Sequence, residues 1–206
     1  MTHSLHRRGT AESLSEDYVV IMLRSIGIND SDYLPKCQEF LHIALRHNPI
    51  NIGSEMKGSM YEYQPEEIIA AAKGDSHVVF DNPQALTEFL RELKKADLGL
   101  SVVVSGIFEN VDECLEKAGL KHHTANFSLG IWGKTEKLPS DDILEVTTMC
   151  GHGLIAANLI KAMVKEIKAG TKTPEEAAKV LAPNCTCGIF NPARAAKLLA
   201  RSAGGN

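Results

Sequence analysis

The stretch 78–105, VVFDNPQALTEFLRELKKADLGLSVVVS, decides the fold class expected for this chain. Its two ends, 78–80 and 101–105, are short apolar runs rich in valine, as buried strands are. Between them, Asn82 and Pro83 supply an N-cap and a first-turn proline for a helix that continues to about Ala96. A strand, a helix of this length and a second strand form a βαβ unit, which predicts parallel pairing and a right-handed crossover.

The segments on either side of this unit continue the alternation of strands and helices. Further strands are predicted at 19–23, 124–129 and 143–148, and further helices at 35–47, 65–74, 108–118, 154–169, 174–181 and 192–201. We therefore expect an α/β fold with a mixed, mostly parallel sheet built from βαβ units and a helical C-terminal segment. No internal repeat is apparent.

These patterns predict three regions along the chain. Residues 1–15 have no apolar periodicity and form an N-terminal arm, and residues 16–150 form the α/β domain. Residues 151–206 form the helical segment that packs on this domain and carries the cysteine turns.

Composition limits the classes of function that are open to this protein. The 206 residues include 22 basic and 26 acidic side chains, and the only basic run is at His6, Arg7 and Arg8, so we expect no nucleic-acid partner. Apolar runs such as 19–23 are too short to span a membrane, and no signal-peptide core follows the early basic residues. We expect a cytoplasmic protein that can form a homo-oligomer and that acts on a small-molecule substrate or with a redox partner protein.

The five cysteines carry the functional signal. An odd number without a secretion signal favours reduced thiols over a disulfide framework. Cys37 and Cys114 lie in apolar helical patterns, whereas Cys150, Cys185 and Cys187 lie in glycine-rich turns just before helices. Unpaired N–H groups and the positive dipole end of a helix favour thiolates. Because a helical hairpin separates the two turns, they can meet in space.

An iron–sulfur cluster is the leading hypothesis for these turns. Cys150, Cys185 and Cys187 would bind a [4Fe–4S] cluster, with the fourth iron open or bound by His152, by His122 or His123, or by a partner. Backbone N–H groups of the glycine turns would stabilise the negative cluster. The remaining predicted site residues are Gly151, Gly153 and Gly188 for cofactor binding, with Cys150 and His152 as catalytic groups. Such a centre would support redox or Lewis-acid chemistry in an oxidoreductase or lyase.

Zinc is the alternative metal. Together with His152, the three cysteines make a tetrahedral Cys3His set, although their one-residue spacers are tighter than those of most structural zinc sites. A further alternative, which applies to either metal, is a non-catalytic accessory subunit that carries the cluster or ion for a partner. In the purely structural alternative, the cysteines are small buried apolar residues.

The run Met149-Cys150-Gly151-His152-Gly153, with Ile155 beyond it, resembles the motif around a catalytic cysteine in the proline racemase family. Enzymes of that family abstract and return a proton with two cysteines on opposite faces of the substrate. The resemblance covers about seven residues. It implies a cofactor-independent thiol racemase or epimerase in which Cys150 is one base and Cys187 the other.

The same turn also has the form of a dinucleotide fingerprint. Gly151, Gly153 and Ala156 fit the Gly-x-Gly-x-x-Ala spacing between a predicted strand and a helix. However, the following element is a second capped helix, not a strand with an acidic residue for the ribose. A nucleotide site is therefore the weakest of the chemical alternatives.

Overall fold

A computed structural model describes residues 2–204 of the chain, which contain one five-stranded sheet in the order β3-β2-β4-β1-β5. Every pair of neighbouring strands is antiparallel. The strands are β1 Tyr18–Leu23, β2 Asn51–Ser54, β3 Gly58–Ser59, β4 Ser76–Phe80 and β5 Ser101–Ser105.

Helices cover both faces of this sheet. Five lie in the N-terminal part of the chain: α1 Ala11–Leu14, α2 Tyr33–Leu45, α3 Pro65–Ala71, α4 Pro83–Ala96 and α5 Phe108–Lys117. Four follow towards the C-terminus: α6 Asp141–Thr147, α7 Ala157–Lys168, α8 Pro174–Leu181 and α9 Pro192–Ser202. Within residues 2–204, no helix combines the length and the apolar character needed to cross a membrane.

The predicted mostly parallel sheet of βαβ units is wrong. β4 and β5 do run in the same direction and are joined by α4, but β1 lies between them and is antiparallel to both. The first five residues of β1 are almost fully buried, as suits a central strand with both faces covered. The local pattern predicts the strand–helix–strand unit, but it does not reveal that an earlier strand is inserted between the two.

Three further assignments are corrected. Residues 143–148 are not a strand, since α6 covers Asp141–Thr147 and begins with two acidic residues, which favour a helix start. Residues 124–129 have no strand pairing, whereas 48–64, which has no predicted element, contains β2 and β3. Short apolar runs fit either a buried strand or a buried helix, so their tertiary partners decide.

The two faces of the sheet hold two separate apolar cores. Side chains alternate along β1, so that Val20 and Met22 enter the first core while Val19 and Ile21 enter the second. Helices α2 to α5 complete the first core, which contains Cys37 and Cys114, and α6 to α9 complete the second. The second core contains the other three cysteines, and all five are free thiols.

Candidate functional site

The two cysteine turns meet in the second core. The Sγ atoms of Cys185 and Cys187 are 3.9 Å apart, and the Cys187 Sγ lies 3.8 Å from the Nδ1 atom of His152. The Cys150 and Cys185 thiols interact closely enough that each shifts the pKa of the other. The fold thus brings together the four side chains that the sequence predicts as metal ligands.

The two turns share a backbone hydrogen bond and a glycine of positive φ. The carbonyl of Cys150 accepts a hydrogen bond from Gly153 N–H at 2.9 Å, and that of Cys185 accepts one from Gly188 N–H at 3.0 Å. Both glycines have positive φ, 68° and 75°, in the region that favours glycine. Helices α7 and α9 each begin seven residues after the first cysteine of their turn. The C-terminal segment therefore contains a repeated unit of helix, turn and helix.

This repeat pairs the chemical groups of the two turns. Cys150 corresponds to Cys185, and His152 corresponds to Cys187. Each turn thus offers a metal-binding donor at its first and third positions. The two turns share only a cysteine and a glycine at equivalent positions, too few to appear as a repeat in the sequence.

Backbone N–H groups point at the sulfur atoms in both turns. The N–H groups of Leu154 and His152 lower the pKa of Cys150, and the N–H of Ile189 lowers the pKa of both Cys185 and Cys187. Leu154 and Ile189 are equivalent positions of the repeat. Such N–H donors favour a charged sulfur, as they do around iron–sulfur clusters and other thiolate centres.

The thiols form a hydrogen-bonded series that ends at Cys187. The hydrogen bond with Cys185 and burial raise the pKa of Cys150 well above its usual range. Cys150 lowers the pKa of Cys185, but the hydrogen bond with Cys187 and burial outweigh this and raise it to about 12. The hydrogen bond from Cys185 lowers the pKa of Cys187. Cys187 is therefore the first of the three to ionise.

The second turn is packed tightly against strand β2. A Cβ atom on Gly53 would lie 2.3 Å from the carbonyl oxygen of Cys187, so only glycine fits there without a backbone shift. Asn51 donates a hydrogen bond from Nδ2 to the carbonyl of Phe190 at 3.0 Å. Gly188 packs closely against Gly53 of β2. Its part in binding a cofactor stays a prediction.

A buried ionic cluster lies beside the second turn. Asp17 is paired with Arg7 and with Arg194, the latter at 2.9 Å, and all three side chains are almost fully buried. Arg7 also donates a hydrogen bond to the carbonyl of Ile189, two residues after Cys187. Two guanidinium groups against one carboxylate leave a surplus positive charge, which favours an anionic centre nearby.

One histidine on this side of the sheet was not predicted as a site residue. His77 in β4 is fully buried and lies opposite Gly53 in the sheet register. Its neighbour Val78 belongs to the first core, and side chains alternate along a strand, so His77 faces the second core. Gly53 meets the second cysteine turn on this same side of the sheet. The signal in the sequence is a histidine at the start of an apolar strand, a position that usually holds an apolar residue.

The other predicted candidates lie apart from the cysteines. His122 is exposed and hydrogen-bonded to Asp112 at 2.8 Å, and His123 is also exposed. Ser105, at the end of β5, is hydrogen-bonded to Ser4 at 2.7 Å. A pocket of about 520 Å³ beneath the N-terminal arm and a groove of about 740 Å³ along β5 are both lined by residues other than the three cysteines.

The four predicted ligands form a contact cluster, not a finished metal cage. Within residues 2–204, no group of three or more His, Cys, Asp or Glu side chains is already arranged to hold a metal ion. Metal binding at this cluster therefore stays a prediction. No family model, curated protein or solved structure matches the chain.

Proposed function

We propose that Cys150, Cys185, Cys187 and His152 bind one metal ion, which cross-links the two C-terminal turn units. The observation that carries this proposal is the pair of equivalent turns, each with a donor at its first and third positions. Four donors from the two turns match the number of ligands in a closed tetrahedral site.

The separation of the side chains favours a single ion over a cluster. Two thiolates bound to one zinc at about 2.3 Å in tetrahedral geometry lie about 3.8 Å apart, and a thiolate and an imidazole nitrogen lie about 3.6 Å apart. The observed distances, 3.9 Å between the Cys185 and Cys187 sulfurs and 3.8 Å from Cys187 to His152, are close to these values. In a [4Fe–4S] cluster each thiolate binds a different iron, so the sulfurs stand further apart.

Charge also supports a thiolate-bound ion. A divalent ion with three thiolates and a neutral imidazole carries one surplus negative charge. The buried cluster of Arg7, Arg194 and Asp17 carries one surplus positive charge and contacts the second turn directly. The N–H groups of Leu154 and Ile189 add partial positive charge at the sulfurs. The ordinary cost of burying an anion is therefore offset by its surroundings.

Burial points to a structural role for the ion. The three cysteines are at most 2% exposed, whereas His152 faces solvent. Closed four-ligand zinc sites are structural and contribute directly to the free energy of folding. Gly151 and Gly153, on either side of His152, let this ligand close the site from the solvent side.

Metal and sulfide analysis after anaerobic purification tests the proposal. We expect one zinc ion per chain and no acid-labile sulfide. The Cys185→Ala variant should lose the metal, whereas Cys37→Ala should keep it, because Cys37 is an equally buried thiol of the first core. Iron with stoichiometric sulfide would overturn the single-ion proposal in favour of the cluster predicted from the sequence. Metal-free wild-type protein that takes up neither zinc nor iron would overturn both.

A further inference from the structure

An apolar groove runs along the outer edge of the sheet. β5 is an edge strand, and the groove of about 740 Å³ lies between it and residues 121–126. The floor and walls include half-buried apolar side chains at Leu98, Leu100, Val102, Val104, Leu115 and Leu120. An edge strand beside such a groove offers both unpaired backbone groups and apolar contacts to an extended chain.

The same chain carries an exposed apolar segment close by. Residues 127–132, FSLGIW, alternate apolar and small residues up to Ile131, as a strand with one apolar face does. Phe127, Leu129 and Trp132 are 69%, 84% and 82% exposed. A soluble monomer rarely leaves so many large apolar side chains exposed in one place.

This segment is held outside the groove of its own chain. Residues 121–126 line the groove, but from Phe127 the chain leaves it. The Phe127 ring stacks on Phe108 with centroids 4.8 Å apart, and Ser128 is hydrogen-bonded to His6 of the N-terminal arm at 3.1 Å. Beyond these two contacts the chain turns at Gly130, which has a φ of 88°, and the Trp132 Nε1 group donates a hydrogen bond to the carbonyl of Leu129 at 3.0 Å. The side chains of Leu129 and Trp132 stay exposed in this turn and are available to another molecule.

We infer that residues 127–132 of a second copy of this chain dock in the groove as an added strand beside β5, and that the two copies exchange their segments. Six extended residues span about 20 Å, enough to cover the five residues of β5. Because every copy carries both the segment and the groove, the exchange is self-complementary and closes as a twofold dimer.

The surface available is sufficient for a stable dimer. Phe127, Leu129 and Ile131 form the apolar face of the docked strand, and a large apolar side chain such as Phe buries about 150–250 Å² when fully covered. Counted for both segments together with the groove surface that they cover, burial reaches the order of 1,200 Å², the lower limit of the usual range for specific interfaces. Occupant and groove are both mainly apolar, so association does not depend on burying unpaired charge.

Light scattering during size-exclusion chromatography tests this inference on the full chain. We expect a concentration-dependent dimer for the wild type, a monomer for Leu129→Asp, and an unchanged dimer for the control Met56→Asp. Met56 is also exposed, but it lies between β2 and β3 at the opposite edge of the sheet. Far-UV circular dichroism of both variants verifies that they are folded.

Hydrogen exchange distinguishes the occupants of the groove. In the wild-type dimer, amides of 127–132 and those amides of 101–105 that point away from β1 should be protected, and Leu129→Asp should lose this protection. The β5 amides that pair with β1 should stay protected in both proteins. A wild-type monomer at all concentrations would overturn the inference, and protection of 127–132 in such a monomer would show that the segment folds back into its own groove. A dimer that survives Leu129→Asp would overturn it as well.

Discussion

The two cysteine turns share a backbone hydrogen bond and a positive-φ glycine but have very different surroundings. The second turn is fixed by the close approach of Gly53, by the bond from Asn51 to Phe190 and by the bond from Arg7 to Ile189. In the first turn, the stretch from His152 to Leu154 is exposed to solvent. The repeat therefore combines a rigid half, which presents two buried thiols, with a looser half, which presents one thiol and an exposed imidazole.

This difference suggests a division of roles. Cys185 and Cys187 belong to the rigid half and include the thiol with the lowered pKa, so an incoming ion meets a prepared pair of ligands there. Cys150 and His152 then close the site from the looser half. Variants of the rigid half should therefore change folding stability most, whereas variants at His152 should change mainly affinity for the metal.

The largest effect is expected from breaking the ionic support of the rigid half. Asp17→Asn leaves Arg7 and Arg194 buried without their shared carboxylate. Removing one partner of a buried ion pair costs about 3–5 kcal/mol of unfolding free energy, and urea denaturation would measure the change.

The matched control for this variant is Asp141→Asn. Asp141 pairs with Arg8 at 3.0 Å, but its side chain is 80% exposed. An exposed pair contributes at most about 1 kcal/mol. Equal losses for the two variants would contradict a special role of the buried cluster.

The next effect concerns the contact between the rigid half and the sheet. Gly53→Ala would place a methyl group 2.3 Å from the carbonyl oxygen of Cys187 and force the turn away from β2. Such overpacking costs about 1–3 kcal/mol, and thermal and urea unfolding of the variant would detect it. Metal content should fall as well, because both thiols of the second turn move.

Gly74→Ala serves as the control for this change. The nearest atom to a Cβ there is 3.5 Å away, an ordinary contact. Its stability should change little or rise slightly, since alanine restricts the unfolded chain. If Gly53→Ala behaves in the same way, the close approach does not position the turn.

Substitutions at His152 sharpen the comparison between the halves. His152→Cys makes the first turn chemically equivalent to the second, so the variant should keep the metal and raise the number of bound sulfurs from three to four. His152→Ala leaves the fourth position to water, and zinc affinity should fall roughly tenfold to hundredfold, as measured by competition with a chelator.

His122→Ala is the control histidine, because its exposed ring is bonded to Asp112 and lies apart from the cysteines. It should leave zinc affinity unchanged. Unaltered affinity in His152→Ala would show that this imidazole is not a ligand.

The smallest effect is the pH dependence of proton release on zinc binding. Each cysteine that is a thiol before binding loses its proton when it binds the metal. The raised pKa values of Cys150 and Cys185 keep these two protonated at neutral pH, whereas Cys187 ionises first because its pKa is lowered. The number of protons released per zinc ion bound should therefore fall by one as the pH rises through the pKa of Cys187, which lies below its ordinary value of 9.0.

Calorimetry in buffers of different ionisation enthalpy measures this release. Cys187→Ala, tested at zinc concentrations high enough to saturate it, should remove the step. A release that stays constant from neutral pH to pH 9.0 would contradict the order of ionisation.

Local signals in the sequence predicted several elements correctly. Asn82 caps α4, and Thr173 with Glu176 forms the capping box of α8, because these bonds join residues only three apart. The sheet order depends instead on the pairing of β1 with strands more than fifty residues away. Pairing at that distance leaves no local pattern, so the antiparallel sheet was missed.

The same limit applies to the site. The glycine turns and the helical hairpin between them indicated that Cys150 and Cys185 can meet. His77, Gly53 and Arg7 were missed as neighbours of the site because each reaches it across more than one hundred residues of chain. Only the folded sheet and the docked N-terminal arm bring these residues together.

X-ray absorption at the metal edge tests the central claim most directly, because it counts the atoms bound to the metal and measures their distances. Three sulfurs at about 2.3 Å and one nitrogen at about 2.0–2.1 Å, without a neighbouring metal, are the expected result. His152→Cys should convert this to four sulfurs. A second metal atom in the spectrum, or a shell of oxygen and nitrogen without sulfur, would contradict a single ion held by the two cysteine turns.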